Sequence, residues 1–358
     1  MEKGNLMGFK PTRRAAALVA AGLLSTLALA ACASTDASTD AGSGDGGSKP
    51  VTLSLVAYST PQAAYEKIIA AFQKTDAGKD ITFTTSYGAS GDQSRAVAGG
   101  LHADEVHLSL EPDVQSLVDA GLVDKTWDQN STDGILTDSV VVFLVRKGNP
   151  LGIKSWDDLV KPGVKVITPN PESSGSAKWN ILAAWAHAAQ APGGNDTKAQ
   201  DFVTKLLHNT VAMPGSGSDA LASFLAGNGD VLLAYENDSI EARASGEDVD
   251  YVIPDDTLLI QNPAAVTTDA APAAQDFLDF QLSKEGQTLY AQAGFRPVIS
   301  GIDTDVPGVE TPSDPFPKVK TLFTIDKDFG GWGAADPKYF DEDNGIITKI
   351  ISGLNIGS

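Results

Sequence analysis

The chain has a single cysteine among its 358 residues, Cys32. That excludes an internal disulfide and any cysteine-based metal cluster. Basic side chains are also scarce: 26 Lys and Arg stand against 46 Asp and Glu, for a formal charge of −20. Nucleic acids and anionic membrane surfaces need a basic footprint, so neither is an expected partner. No Gly-x-Ser-x-Gly elbow is present, and no histidine is tied by sequence to a serine. Gly215-Ser-Gly-Ser-Asp219 lacks the lysine of a phosphate-binding loop. The longest apolar run, Ala15 to Ala31, is too short for a comfortable membrane span. What is plentiful is apolar residues (42%), glycine (35) and proline (19), enough for a sizeable core and two lobes.

Lys10, Arg13 and Arg14 precede that apolar run, and small residues follow it, which is the tripartite form of a secretory signal. Leu29-Ala30-Ala31-Cys32 resembles the bacterial lipobox, which implies a signal peptide over 1–31 and lipidation of the Cys32 thiol. Residues 32–49 are rich in Ser, Thr, Asp and Gly and have no large apolar side chain. Such a segment cannot bury enough surface to offset its ordering and reads as a flexible tether.

From Val51 strands and helices alternate. Strands are predicted over 51–58, 81–87, 106–110, 139–146, 164–168 and 231–236, with helices over 62–75, 92–101, 113–120, 177–189, 197–208 and 220–226. Short strands at 251–253, 258–260 and 264–267 then lead back, followed by helices over 271–282 and 284–293 and a last one over 346–352. Val140 to Val145 is continuously apolar, the mark of a strand buried on both faces. The fold class is therefore α/β. Residues 51–140 with 262–358 are expected to form one lobe and 141–261 the other, with two crossing strands near 139–146 and 258–267.

Four junctions share one grammar: a strand end, a cluster of glycine or small hydroxyl residues, then a helix. They are Ser59-Thr60-Pro61, Gly88-Ala89-Ser90-Gly91, Ser173-Ser174-Gly175-Ser176 and Gly215-Ser216-Gly217-Ser218. Each alone is consistent with an ordinary capped helix. Two fall in each block, and loops leaving the carboxyl ends of strands converge in such folds. A cleft gathering all four would offer an anion free N–H groups and four positive dipole ends.

Long stretches of the chain also resemble the sulfate-binding protein family of bacterial ABC importers. They include Tyr87 to Val97, Val142 to Pro150, Trp156 to Val164, Ile167 to Trp185, Gly229 to Asn237, Phe295-Arg-Pro297 and Phe329-Gly-Gly-Trp332. The resemblance implies a two-lobed type II periplasmic-binding-protein fold and no catalysis. It further implies delivery of sulfate, or in some members thiosulfate, to a membrane permease. By position, the implied contacts are the N–H near Ser59 and Thr60, Ser90, the Ser174 hydroxyl, the N–H groups of Gly175, Ser176 and Gly217, and Tyr235. Tyr235 replaces the family's usual tryptophan, Ser176 a glycine, and Asp92 and Ser218 basic residues. The reading is a lipid-anchored extracytoplasmic receptor, a monomer without cofactor or metal. Thiosulfate, molybdate and phosphate are the other candidate ligands. A serine hydrolase using Ser90 or Ser174 is the alternative of a different class.

Asp92 and Asp219 are expected as first-turn carboxylates facing solvent, favourable with the helix dipole. His102, Asp104, Glu105 and His107 match no metal-ligand spacing and are expected as surface residues plus one strand histidine. Trp179 and Trp185 are expected in the core, and Trp332 is expected to pack the C-terminal segment onto the first lobe.

Overall fold

The computed structural model describes residues 51–354. The signal, the tether and Cys32 lie outside the described residues. Among those described, the first block contains β1 (Val51–Tyr58), α1 (Gln62–Phe72), β2 (Ile81–Gly88), α2 (Ser90–Ala98), β3 (Glu105–His107) and α3 (Glu111–Asp119). The long strand β4 (Ile135–Arg146) leads to α4 (Trp156–Leu159), β5 (Val166–Ile167), α5 (Gly175–Gln190) and α6 (Asp196–His208). These are followed by β6 (Thr210–Ala212), α7 (Gly217–Leu225), β7 (Val231–Tyr235), α8 (Glu236–Ala244) and β8 (Val249–Val252). A second long strand, β9 (Asp256–Val266), returns to α9 (Ala273–Leu282) and α10 (Lys284–Gln292). The chain finishes with β10 (Thr321–Phe323), α11 (Ile325–Phe329), α12 (Trp332–Phe340) and α13 (Ile346–Ser352).

Strand order is β2-β1-β3-β9-β4-β7-β5-β6, with β10 beside β9 and β8 beside β4. In the first block β1 runs parallel to β2 and β3; in the second, β5 runs parallel to β6 and β7. The two long strands join these blocks. β4 pairs with β9 up to Val140 and with β7 from Val141, while β9 pairs with β4 up to Pro263 and with β3 from Ala264. Val140 to Val145 is at most 1% exposed, so the apolar run does lie between covered faces. β9 is one strand where the sequence suggests two. Pro263, which has no N–H to give to a ladder, sits where the partner changes from β4 to β3, the place such a residue is tolerated.

A core lies in each block, and that of the second also takes in Tyr58 and Leu110 of the first. Leu53, Leu55, Tyr65, Ile68 and Phe72 pack with Phe277 and Tyr290, so α9 and α10 belong with the first block. Burying side chains of this size contributes about 1.5–3 kcal/mol each. In the second block Val141, Phe143, Trp156, Leu182 and Leu206 share a core with Trp179 and Trp185. Twelve of the sixteen residues of α5 are buried. A helix apolar on most sides needs cover beyond the sheet. Trp332 provides it edge-on to Trp179 at 4.8 Å, and Tyr339 does so against Trp185 at 4.9 Å. Trp332 therefore caps the second block, not the first as its sequence position suggests, because its aromatic partners stand on α5.

Helix α8 has a polar sequence without apolar periodicity and is missed by pattern. Nevertheless, Glu236, Asn237, Asp238 and Ser239 are all buried there. Glu236 is held by a two-pronged ion pair with Arg296, at 2.6 and 2.9 Å, and Asn237 accepts a hydrogen bond from Ser139 of β4 at 2.9 Å. Tertiary partners satisfy what the local sequence leaves polar.

Candidate functional site

All four junctions meet. Ser59, Thr60, Ser90, Ser174, Gly175, Ser176 and Gly217 line one cavity holding about 190 Å³ of empty space. The rest of its wall is Tyr58, Gly88, Ala89, Ser109 and Ser216, so no lysine, arginine, histidine or carboxylate lines it. Chain reversals bring each tip there. β1 ends at Tyr58 and β2 at Gly88, and α2 opens on Ser90 after an extended N-cap at Ala89. Ser174 and Ser216, both extended, are the N-caps of α5 and α7.

The tips are donor-rich. In α5 the first engaged N–H is that of Ala177, which donates to the Ser174 carbonyl at 3.2 Å. Gly175 and Ser176 precede it, where a helix leaves N–H groups without partners in its own ladder. The Ser174 side chain makes no capping bond, so its hydroxyl is not consumed by its own helix. In α7 the Ser216 hydroxyl accepts from the Asp219 N–H at 3.1 Å, two residues beyond the N–H of Gly217.

The blocks touch around the cavity. The Gly91 N–H donates to the Ser173 carbonyl at 3.1 Å. A side chain at Gly175 would put its Cβ 2.4 Å from Ser109 Oγ, and one at Gly217 would lie 3.2 Å from Ser176 Oγ and 3.4 Å from Thr60 Oγ1. Only glycine permits the first of these approaches.

Tyr235 stands behind the wall. Fully buried, it shares a 2.7 Å hydrogen bond with Ser109 Oγ and receives a 3.5 Å contact from Asn262 Nδ2. Burial holds its phenol protonated well above the usual range, with the bond to Ser109 opposing. Ser109 is the wall residue that sequence reasoning missed. Its N–H donates to Ser90 Oγ at 2.8 Å, and its carbonyl accepts from Trp179 Nε1 and Asn262 Nδ2, both at 3.0 Å. Leu108-Ser109-Leu110-Glu111-Pro112 repeats the junction grammar, since α3 has a proline in its first turn.

Asp92 and Asp219 are exposed. Asp92 pairs with Arg95 at 2.5 Å, and Asp219 accepts from the Ser216 hydroxyl at 2.7 Å. The expectation of surface residues is overturned for Asp104 and Glu105, which are buried, whereas His107 lies on a strand as expected and is buried there. Asp104 accepts from the N–H groups of Ser54 and Ala271, and Glu105 from Gln281. Burial pushes the Glu105 carboxyl up to about 8 and the His107 imidazole down to about 3. His107 bonds Tyr65 at 2.8 Å, which makes it a neutral core residue. Among the described residues no group of three His, Cys, Asp or Glu side chains is placed to hold a metal. No helix there is long and apolar enough to cross a membrane.

A larger cleft of about 790 Å³ opens beside the cavity and shares Ser59 and Thr60. Glu66, Asp238, Glu241 and Glu247 line it, which makes it hostile to an anion. The small cavity is the candidate site.

Two α/β blocks joined by two long strands, with a cavity of donors where they meet, define a two-lobed type II periplasmic-binding-protein fold. The chain belongs to the bacterial extracellular solute-binding protein family, whose profile matches residues 53–296. A sulfate-binding protein of Synechococcus elongatus is 40% identical over 335 residues, covering 90% of this chain and 92% of the relative. A thiosulfate-binding protein of Pseudomonas aeruginosa is 33% identical, covering 83% and 91%. Among solved structures, the sulfate-binding protein SubI of Mycobacterium tuberculosis superposes with a TM-score of 0.76 at 46% identity. That match covers 81% of this chain and all of the other.

Proposed function

We propose that the chain is a receptor that binds sulfate in the cavity and delivers it to the membrane permease of an ABC importer. Carrying the reading is the cavity wall, built from helix-start N–H groups and small hydroxyls of both blocks with no charged side chain in it. Sulfate at neutral pH only accepts hydrogen bonds, so a wall of donors complements it. A hydrogen bond to a charged group contributes about 1.5–3 kcal/mol, and a helix N-terminus adds about 0.3–2 kcal/mol. Micromolar binding needs about −8 kcal/mol. Several donors reach that after the cost of bringing the blocks together. The formal charge of −20 is screened over about 8 Å at physiological salt, so contact-range dipoles decide.

Hydrogen phosphate carries a proton that would meet a donor and leave a buried group unsatisfied, at a cost of about 1–3 kcal/mol. Thiosulfate shares the acceptor-only character of sulfate, and the thiosulfate-binding relative keeps it as the second reading. In this account residues 51–140 with α9 and α10 move as one lobe and 141–261 as the other. The C-terminal helices travel with α5, and Cys32 carries the lipid that tethers the receptor outside the membrane. The Ser90 hydroxyl donates to a carboxylate, Asp113, and not to an imidazole, which counts against the hydrolase alternative. Calorimetric titration of the purified protein with sulfate, thiosulfate and molybdate tests the reading. Saturable heat with sulfate is expected. No heat with any of the three contradicts it.

A further inference from the structure

Ser109 is held from both blocks. Its N–H donates to Ser90 Oγ of the first block at 2.8 Å. Its other polar atoms reach outward. The carbonyl accepts from Trp179 Nε1 of α5 and from Asn262 Nδ2 of the crossing strand β9, both at 3.0 Å. Its Oγ shares a 2.7 Å hydrogen bond with the phenol of Tyr235, at the end of β7 in the second block. Among the described residues that phenol is the one hydrogen-bond partner of Ser109 Oγ.

The junction around this bond is dry. Ser109 is 1% exposed and Tyr235 0%. Tyr58 and Leu110, both of the first block, pack into the core of the second, and the Tyr58 and Tyr235 rings stand 6.3 Å apart. Asn262 braces the arrangement, accepting from the Tyr58 hydroxyl at 2.9 Å. Every one of these contacts is protein to protein, so none needs a guest. Parting the blocks would pull Ser109 Oγ from the phenol and give both hydroxyls to water.

We propose that the Ser109–Tyr235 hydrogen bond is a latch that keeps part of the free protein closed, with Tyr235 as a positioning residue that slows release of the guest. The inference rests on the receptor reading and deepens it. Tyr235 stands behind the cavity wall and is not part of it. It therefore acts on closure and not on the identity of the anion. Apparent affinity scales with the fraction of protein in the binding-competent arrangement, so loss of the latch lowers the affinity for every guest by one factor. A net hydrogen bond sets that factor at about two- to tenfold. A direct contact would instead separate sulfate from thiosulfate, which differ at one corner of the tetrahedron.

The test reads the width of the cleft and the affinities together. Spin labels on Glu66→Cys of α1 and Glu247→Cys after α8, both exposed and on opposite sides of the acidic cleft, are placed in a Cys32→Ser background. Saturating sulfate calibrates the short, closed distance. Free protein should already show a fraction at that distance, and Tyr235→Phe and Ser109→Ala should each reduce it. Calorimetry should give an equal loss for sulfate and thiosulfate, about two- to tenfold, carried by faster dissociation. The double variant should lose about as much as either single one, because both remove the same bond. A free protein with no closed fraction overturns the latch, as does one whose closed fraction is the same in both variants. A loss confined to one anion overturns it too and puts the phenol on the guest. In each of these outcomes the sulfate reading stands. Absence of any sulfate heat in the wild type removes that reading, while the distances in free protein still judge the latch.

Discussion

Gly175→Ala puts the convergence of the helix tips to a direct test. Gly175 has an ordinary helical backbone, so alanine is conformationally acceptable there. The obstacle is space: the new Cβ would lie 2.4 Å from Ser109 Oγ, 2.7 Å from Ser109 Cβ and 2.8 Å from Leu110 Cγ. Ser109 and Leu110 belong to the first block and Gly175 to the second, so the collision arises only when the blocks are together. Overpacking of this kind costs about 1–3 kcal/mol. Charged to the closed clamp, that is roughly a 5- to 150-fold loss of sulfate affinity. Thermal stability without ligand should change far less. Gly333→Ala in α12 is the control, because its Cβ meets nothing within 4 Å. Calorimetry with sulfate and a melting curve of the free protein measure the two effects. Affinity within twofold of wild type in Gly175→Ala would refute the argument that α5 must touch Ser109 to close the site.

Other expected outcomes follow from the same geometry. Ser174→Ala should weaken sulfate binding by about tenfold or more, as one charge-assisted hydrogen bond is lost. Ser173→Ala should weaken it less, since that hydroxyl donates to backbone carbonyls, Gly215 at 2.7 Å and Asn170 at 3.5 Å. Equal losses in the two titrations would place the cap wrongly. Arg296→Ala should destabilise the fold by about 3–5 kcal/mol in denaturant melts, because it strands the buried Glu236 carboxylate. Adding Glu236→Gln should recover part of the loss. Two buried groups pull stability against pH in opposite senses. His107, held down near 3 in the fold, binds a proton more readily when unfolded, so its contribution is lost as pH falls from about 6.5 toward 3. Glu105, raised to about 8, contributes fully below its unfolded value, and that stability is lost as pH rises toward 8. Glu105→Gln should therefore flatten the alkaline side of a melting-temperature profile.

The alternation of strand and helix was legible because the periods differ, and the apolar run of β4 marked a strand covered on both faces. The site was legible for a local reason. Glycine and small hydroxyl clusters at strand ends are needed wherever backbone N–H groups must stay uncovered, so Ser90, Ser174, Gly175 and Gly217 announce themselves. Ser109 did not, because its work is done by contacts from Ser90, Tyr235, Trp179 and Asn262, none of which is near it in sequence. The resemblance implies Tyr235 as a contact, and the structure places its hydroxyl behind the wall in a hydrogen bond with Ser109. The acids Asp104 and Glu105 do not show as buried in the sequence because their partners, the Ala271 N–H and Gln281, come from distant segments, as does the Tyr65 partner of the strand histidine His107. Helix α8 was hidden by its polar composition for the same reason, its partners being Arg296 and Ser139.

A crystal structure of the protein grown with sulfate tests the central claim most directly. The account predicts one tetrahedral density between the starts of α2, α5 and α7, within hydrogen-bond distance of the Gly175, Ser176 and Gly217 N–H groups and the Ser174 hydroxyl. An anion gripped by an arginine or lysine side chain, or seated away from those tips, would contradict it.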